Sequence, residues 1–347
     1  MENKIETQEI VLTKKDFESD QMVKWCPGCG DHAILKSVEA VFPVVGQKLG
    51  LKKEDFVVVS GIGCSSRFPY YMNTYGIHGI HGRPAALALG IKLTNPKLNV
   101  WIISGDGDSM AIGGNHFIHF VRRNLDATYL MFNNKIYGLT KGQYSPTTPK
   151  GQKTKTSPQG TFETPFNPGE LVIGARGTFF ARALDTNPRL MQSVFLEAAL
   201  HKGASVVEIL QNCVIFNNKI HALITGKDTK HDNQLILEAG KPMLFGKEKE
   251  KGIILEGTRL KVVKLGENGI TEKDILVHDP TTEDTGIHMM LASMAPPEFP
   301  AAFGVIRSVK SPTLDEEVWN CVEREKETSP YKTVDDLLNS GNTWEID

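Results

Sequence analysis

The sequence predicts an α/β fold with a doubly wound parallel sheet and a small mixed extension at the C-terminus. Two observations predict it. Short apolar runs alternate with segments of helical periodicity, and Gly/Asp and Asn-Asn turns follow two neighbouring runs. Helical crossovers between strands make a sheet parallel. We therefore predict an α/β domain over residues 20–215. The extension over 216–347 is expected to cover the site or to bind a partner.

The elements follow from their spacing along the chain. Apolar residues recur at helical intervals after Asp31, and β-branched runs such as 56–59 are typical of buried strands. A stretch over 138–170 that is rich in Gly, Thr and Pro is expected to be a long functional loop. The expected elements are helices over 31–45, 84–92, 112–121 and 189–201, strands over 56–59, 100–103, 127–132 and 204–210, and a hairpin of 253–255 with 260–263.

The bulk composition excludes several classes of protein. The 347 residues carry a formal net charge of −2, which gives no electrostatic case for nucleic-acid binding. No apolar run approaches the roughly 20 residues of a membrane span, and the polar N-terminus has no secretory signal. We expect a cytoplasmic protein that binds neither nucleic acid nor membrane.

Two turns predict a metal site at one edge of the sheet. Asp106, between Gly105 and Gly107, follows the strand 100–103, and Asn134 follows the next strand. Parallel strands bring their carboxyl ends to the same edge, where ligands bind in open α/β sheets. Carboxylate and amide oxygens beside a helix N-terminus suit a Mg²⁺ ion that holds a diphosphate.

Four of the five cysteines are expected to converge at the same edge. Cys26 and Cys29 form a Cys-x-x-Cys pair, Cys64 ends a strand, and Cys213 follows another strand, whereas Cys321 lies apart in the acidic tail. The odd count and the missing export signal argue against disulfides. Four thiolates could hold a 4Fe–4S cluster or Zn²⁺, or could remain without a metal.

Five motifs in order give the chain a family resemblance. It resembles the β subunits of the 2-oxoacid:ferredoxin oxidoreductases, which bind thiamine diphosphate, and is most similar to the 2-oxoglutarate type. The resemblance covers about residues 22–217 and is far more specific than the Gly-Asp-Gly and Asn-Asn elements alone. The motifs are Trp25-Cys-Pro-Gly-Cys-Gly30, Gly61-Ile-Gly-Cys-Ser-Ser66, His81-Gly-Arg83, Gly105-Asp-Gly-Asp108 and Asn133-Asn-Lys-Ile-Tyr-Gly-Leu-Thr-Lys-Gly-Gln143.

The resemblance implies a role for each matching residue. Asp106, Asn134 and the carbonyl of Ile136 would bind Mg²⁺, and Cys26, Cys29, Cys64 and Cys213 would hold a 4Fe–4S cluster. Arg67 and His81 would face the substrate or the diphosphate as catalytic residues, and we hypothesise that Arg67 pairs with a substrate carboxylate. The residues implied to contact thiamine diphosphate are Gly63, Cys64, Ser65, His81, Gly105, Asp106, Gly107, Asp108, Ser109, Asn134, Ile136, Gly138 and Leu139.

The resemblance also implies the reaction and the partners. The enzyme would decarboxylate a 2-oxoacid oxidatively, transfer the acyl group to coenzyme A and pass electrons through the cluster to ferredoxin. An α subunit would supply the glutamate that activates the cofactor, since this chain has room for only one such α/β domain. 2-Oxoglutarate is the expected substrate, with pyruvate or a branched-chain 2-oxoacid as alternatives.

Two other classes of function remain open. One is a non-redox thiamine diphosphate decarboxylase or synthase with a zinc or empty thiol site. The other is a zinc-stabilised binding module without catalysis. The Gly-Asp-Gly and Asn-Asn spacing counts against the binding module, and the dispersed cysteines count against the non-redox enzyme.

Overall fold

A mixed eight-stranded sheet organises the chain. The structure is a computed structural model that describes residues 11–344 and residue 346. The sheet has the order β2-β1-β3-β4-β6-β5-β11-β7, and its first six strands run parallel. The strands are β1 (Phe56–Ser60), β2 (Tyr75–His78), β3 (Asn99–Gly105), β4 (Ala127–Asn133), β5 (Phe179–Leu184), β6 (Ala204–Leu210), β7 (Gln234–Ile236), β8 (Leu244–Phe245), β9 (Lys251–Glu256), β10 (Arg259–Lys264) and β11 (Ala301–Ser308).

Helices cover both faces of this sheet, so the doubly wound α/β fold is confirmed. Alternate strand residues enter different cores: Val57 and Val59 pack on one face, and Val58 packs on the other. The helices are α1 (Asp31–Leu49), α2 (Phe68–Tyr71), α3 (Pro84–Thr94), α4 (Asp106–Met110), α5 (Gly114–Arg122), α6 (Pro168–Gly174), α7 (Pro188–Leu200), α8 (Ala222–Thr225), α9 (Lys230–Asn233), α10 (Gly286–Ser293), α11 (Leu314–Thr328) and α12 (Val334–Leu338).

The helix expected over 112–121 forms as α5, and the chain adds a separate short helix, α4, before it. α4 ends at Met110 and α5 begins at Gly114. Between them, a Cβ atom at Gly113 would lie 2.2 Å from the backbone oxygen of Asp108. The chain therefore folds back too tightly for one continuous helix, and Ile112 is exposed in the turn.

Strand β5 was missed by the sequence analysis because Arg182 interrupts its apolar pattern. The structure buries Arg182 and pairs its Nε with Oε2 of Glu208 on β6 at 2.7 Å. Burial of a charged pair is tolerated when both partners are hydrogen-bonded. A central strand can therefore carry an arginine that the sequence pattern alone marks as exposed.

The C-terminal region completes the main sheet. β11 runs antiparallel to β5 and parallel to β7, so the sheet is not wholly parallel as expected. The expected hairpin forms as β9 and β10, which make a small sheet with β8. The boundary at 215/216 stays a prediction, since one sheet joins the two parts, and residues 345 and 347 lie outside the described range. None of the described helices is long and apolar enough to cross a membrane.

Candidate functional site

The carboxyl ends of β1, β3, β4 and β6 form the candidate site. These strands are parallel neighbours, so the turns that follow them meet at one edge of the sheet. The turn at 61–64 follows β1, α4 begins directly after β3, and the Asn-Asn turn ends β4. The sequence motifs therefore meet where an open α/β sheet binds its ligands.

Asp106 is buried at the start of α4 and is held by two hydroxyl groups. Ser145 Oγ and Thr147 Oγ1 both donate to its Oδ2, the latter at 2.6 Å. Burial raises the pKa of this carboxyl to about 6, although these hydrogen bonds oppose the rise. An ionised Asp106 is therefore costly here unless a cation lies beside it. Sequence reasoning missed Ser145 and Thr147, which sit within the long loop as part of a Ser-Pro-Thr-Thr run.

Asn134 and Ile136 form a tight turn beside Asp106. The backbone N–H of Ile136 donates to Asn134 Oδ1 at 3.1 Å, and the side chain of Asn217 donates to the carbonyl of Asn134. The preceding Asn133 is buried, and its side chain donates to Glu208. Asn133 is thus hydrogen-bonded within the core, whereas Asn134 belongs to the turn.

Asp108 links three segments of the site through its buried carboxylate. Its Oδ1 accepts from the backbone N–H groups of Ile62 and Gly82 and contacts Nδ1 of His81 at 2.6 Å. Ser104 donates to the other oxygen, Oδ2. The contact with Asp108 orients the ring of His81, whose side chain is 38 % exposed at the cleft.

Gly61 makes room for this carboxylate, which gives a test of its role. A Cβ atom at Gly61 would lie 1.9 Å from Oδ2 of Asp108. We expect Gly61→Ala to displace Asp108 and to lower the free energy of unfolding by about 2–4 kcal/mol, measured by chemical denaturation. Gly90→Ala is the matched control, because its Cβ meets open space within α3, and it should be neutral or stabilising. Equal stability of the two variants would contradict the proposed role of Asp108.

Gly107 allows the ring of Tyr137 to pack closely against α4. A Cβ at Gly107 would lie 2.2 Å from the ring of Tyr137, whose hydroxyl donates to the carbonyl of Gly107. Ser109 is buried and bonds to Ser104 and to the carbonyl of Gly105. The side chains of Asp108 and Ser109 are thus committed to protein partners, which leaves their backbone N–H groups for a ligand.

The remaining residues expected to contact the cofactor lie near the same turns. Gly63 has φ of 150°, and a Cβ there would meet no atom within 4 Å. Ser65 is buried, and its Oγ lies 3.7 Å from the position of a Cβ on Gly105. Leu139 is exposed after the Asn-Asn turn. The turn after β1 therefore reaches the start of α4.

The four expected cysteines surround one small region. A Cβ on Gly138 would lie 3.4 Å from Sγ of Cys64 and 3.6 Å from Sγ of Cys213. Trp25 Nε1 donates to the carbonyl of Cys64 at 2.7 Å, which ties the Cys-x-x-Cys turn to this point. Cys321 is exposed on α11 and takes no part. The convergence expected from the sequence therefore holds for the loops that carry these thiols.

The thiols lie in a region that disfavours uncompensated negative charge. Burial raises the pKa of Cys64 to about 12 and also raises that of Cys29, with further contributions from Asp31 and neighbouring thiols. Asp31 is fully buried at the start of α1, and burial raises its pKa to about 7. Thiolates at these positions would need a bound cation or cluster to compensate them.

Arg67 lies on the turn that follows β1, directly before α2 and near Cys64. Its Nε donates to the hydroxyl of Tyr71 at 3.0 Å, and that hydroxyl also accepts from the backbone of Lys24. Among residues 11–344 and 346, the terminal nitrogens of this guanidinium have no hydrogen-bond or ion-pair partner. The guanidinium is therefore oriented by Tyr71 and remains available to an anionic ligand.

Comparisons with known proteins agree with this geometry. Residues 61–209 match the family described as "Thiamine pyrophosphate enzyme, C-terminal TPP binding domain". The chain is 43 % identical to the 2-oxoglutarate oxidoreductase subunit KorB of Mycobacterium tuberculosis, over 96 % of this chain and 88 % of that protein. It is 48 % identical to the 2-oxoglutarate synthase subunit KorB of Archaeoglobus fulgidus, over 54 % of this chain and 69 % of that protein.

A solved structure is similar over nearly the whole chain. It is the 2-oxoglutarate:ferredoxin oxidoreductase from Magnetococcus marinus with 2-oxoglutarate, coenzyme A and succinyl-CoA bound. The two chains are 30 % identical and superpose with a TM-score of 0.74, covering 98 % of each. The similarity therefore includes the C-terminal region as well as the candidate site.

Proposed function

This chain belongs to the family of 2-oxoglutarate:ferredoxin oxidoreductase β subunits, named KorB, and we propose that its sheet edge holds the reacting groups of that enzyme. As a member of this family it is a subunit of a 2-oxoacid oxidoreductase that forms acyl-coenzyme A, and it carries a thiamine diphosphate domain. The reaction we propose is the coenzyme A-dependent oxidation of 2-oxoglutarate to succinyl-coenzyme A. The observation that carries this proposal is the meeting of Asp106, the Asn-Asn turn and four cysteines at one edge.

The residues at that edge fit thiamine diphosphate and Mg²⁺. Asp106 is a buried carboxylate with no cationic partner among residues 11–344 and 346, and Asn134 and Ile136 offer further oxygens beside it. The backbone N–H groups of Asp108 and Ser109, at the start of α4, would hold the diphosphate. When bound, thiamine diphosphate supplies the electron sink for decarboxylation. The protein's part is to hold the diphosphate and to orient His81 at the cleft through Asp108.

Cys26, Cys29, Cys64 and Cys213 fit a 4Fe–4S cluster better than a zinc ion. A structural zinc site usually draws on two close Cys-x-x-Cys pairs, whereas this chain has one such pair and two single cysteines on different loops. A zinc site gathers four ligands at about 2.1–2.3 Å around a single ion. A 4Fe–4S cluster binds each thiolate through a different iron and therefore needs a wider ring of cysteines.

The proposal requires partners. A second subunit would supply the glutamate that activates thiamine diphosphate, and ferredoxin would accept the electrons from the cluster. We place the assembled enzyme in the cytoplasm, where thiols stay reduced and such a cluster is compatible with free cysteines.

Arg67 is proposed to bind the distal carboxylate of 2-oxoglutarate. We expect Arg67→Gln to lower kcat/KM for 2-oxoglutarate about 10- to 100-fold, since a charge-assisted hydrogen bond contributes about 1.5–3 kcal/mol. Pyruvate lacks that carboxylate and serves as the internal control in steady-state assays of the same variant. A variant that loses equal activity toward both substrates would place Arg67 elsewhere in the reaction.

The experiment that tests the function is a coupled assay of the purified α/β enzyme, prepared without oxygen. We expect viologen reduction that depends on both 2-oxoglutarate and coenzyme A, with one succinyl-coenzyme A formed for every two electrons. Release of an aldehyde without dye reduction would instead identify a non-redox decarboxylase. Faster turnover of pyruvate or of a branched-chain 2-oxoacid would change the assigned substrate but leave the proposed reaction class unchanged.

A further inference from the structure

A second cavity lies behind the Asn-Asn turn. Its volume is about 380 Å³, and it is formed by the end of β4, the loop before α6, the ends of β5 and β6, and residues 220–224 and 292–301. None of the residues proposed to bind Mg²⁺ or the cluster lines it. Lys135 and Thr147 do line it, so the cavity adjoins the residues proposed to bind Mg²⁺ without including them.

One wall of this cavity is polar, and its groups are already satisfied by the protein. Arg182 donates to Glu208 and to the carbonyls of Ala302 and Ala292. Glu208 also accepts from Asn133. Charge on the Arg182–Glu208 pair cancels, so this pair gives no net attraction to an ion.

His221 adds no charge to the same wall. Burial lowers the pKa of its imidazole to about 4, and the ring contacts the carbonyl of Asn133 through Nε2. The ring is therefore neutral at neutral pH, and Lys135 is the remaining basic residue on this wall.

Lys135 is the exception in this cavity. It lines the space, and within residues 11–344 and 346 its Nζ has neither a hydrogen-bond partner nor an ion-pair partner. Its backbone is also left-handed, with φ of 56°. Such a conformation costs a non-glycine residue about 1 kcal/mol or more, and such outliers cluster at functional sites.

The opposite wall of the cavity is apolar. It is formed by residues that include Pro165, Ile220, Ile224 and Met294. Phe166 and Leu223, which also line the space, are 53 % and 57 % exposed and mark its opening to solvent. A ligand would thus meet apolar side chains around its body and one cationic group.

We propose that this cavity binds a small organic monocarboxylate with an apolar chain of about four to eight carbons. Lys135 would pair with the carboxylate, and the apolar wall would cover the chain. Among the described residues of the lining, Lys135 is the one whose charged group has no hydrogen-bond or ion-pair partner, so it is the group that a carboxylate would contact. Besides Glu208, the carboxylate of Asp106 also lies near Lys135. It already accepts hydrogen bonds from Ser145 and Thr147.

The test is hexanoate binding to the complete enzyme, measured by titration calorimetry with Mg²⁺ and thiamine diphosphate present. We expect wild-type enzyme to bind hexanoate, and Lys135→Asn to bind it at least about tenfold more weakly. Asparagine tolerates the left-handed conformation, so this variant should keep the fold. The neutral analogue hexanol should bind both enzymes equally weakly. Lys150→Asn is the matched control, because Lys150 is exposed outside the cavity.

Two further variants locate the bound anion. Arg67→Gln should leave hexanoate binding unchanged, whereas loss of binding in that variant alone would place the anion in the substrate cleft and overturn the proposal. Leu223→Trp should weaken binding by narrowing the opening without changing any charge. Equal hexanoate affinity in wild type and Lys135→Asn would also overturn the proposal, as would no detectable binding to wild type. None of these readouts depends on turnover, so they are independent of the proposed reaction.

Discussion

Asp106→Asn is expected to abolish Mg²⁺-dependent binding of thiamine diphosphate while stabilising the metal-free protein. Removing the buried carboxylate should weaken Mg²⁺ binding by about 10²–10⁴-fold, because the loss of one partner from a buried charge pair costs about 3–5 kcal/mol. Activity in the coupled assay should fall at least as much. Calorimetric titration of thiamine diphosphate with and without Mg²⁺ measures the effect.

The stabilising half of this prediction follows from the raised pKa of Asp106. Its folded pKa is about 6, above the unfolded value of 3.8, so the folded protein holds the proton more tightly. Stability of the metal-free protein should therefore fall as pH rises from about 4 to about 6, and stay low above that range. At pH 7.5, Asp106→Asn should gain about 1–3 kcal/mol in free energy of unfolding over wild type.

Denaturation at several pH values, without metal, checks this half. Asp228→Asn on an exposed turn is the matched control and should change neither stability nor cofactor binding. Lower stability of Asp106→Asn at pH 7.5 would show that the hydrogen bonds from Ser145 and Thr147 to the carboxylate stabilise the fold by more than the burial of its charge destabilises it. Unchanged Mg²⁺ dependence would remove Asp106 from the metal site.

Cys213→Ser is expected to remove the cluster and the electron transfer that depends on it. Serine keeps the size of the side chain but is a poor ligand for iron, so the protein prepared without oxygen should fall from about four iron and four sulfide per chain to less than about one of each. Viologen reduction should fall at least about 10²-fold, because the two electrons of the oxidation would have no acceptor on the path to the dye. Iron and sulfide analysis with visible absorption measures the first effect.

The control is Cys321→Ser, which should retain full iron content because Cys321 is exposed on α11. Since neither substitution removes a disulfide, the cluster-free forms of both variants should unfold at similar denaturant concentrations. Stoichiometric zinc in wild type, without sulfide, would contradict the cluster and would favour the non-redox class. Full iron content in Cys213→Ser would show that a ligand other than Cys213 completes the site.

Much of the fold follows from local signals in the sequence. The strand–turn–helix–strand unit around Asp106 was predicted from short apolar runs, from helical spacing between them and from Gly/Asp and Asn-Asn turns, and the structure confirms its strands. The prediction failed where a buried charge pair interrupts the pattern, as Arg182 does in β5, and it did not include the short helix α4, which a tight turn at Gly113 separates from α5. The antiparallel β11 was also missed, because its pairing joins segments more than a hundred residues apart.

The sequence by itself determined the expected types of ligand and their place along the chain: an aspartate and an asparagine after neighbouring strands, and four cysteines on three loops. These features are local, since turn chemistry and strand periodicity depend on adjacent residues. Only the tertiary structure decided that Ser145 and Thr147 hold Asp106, that Asp108 orients His81, and that Lys135 faces a cavity behind the turn. Those contacts join residues distant in sequence, and burial then sets their charge states, so no local pattern can specify them.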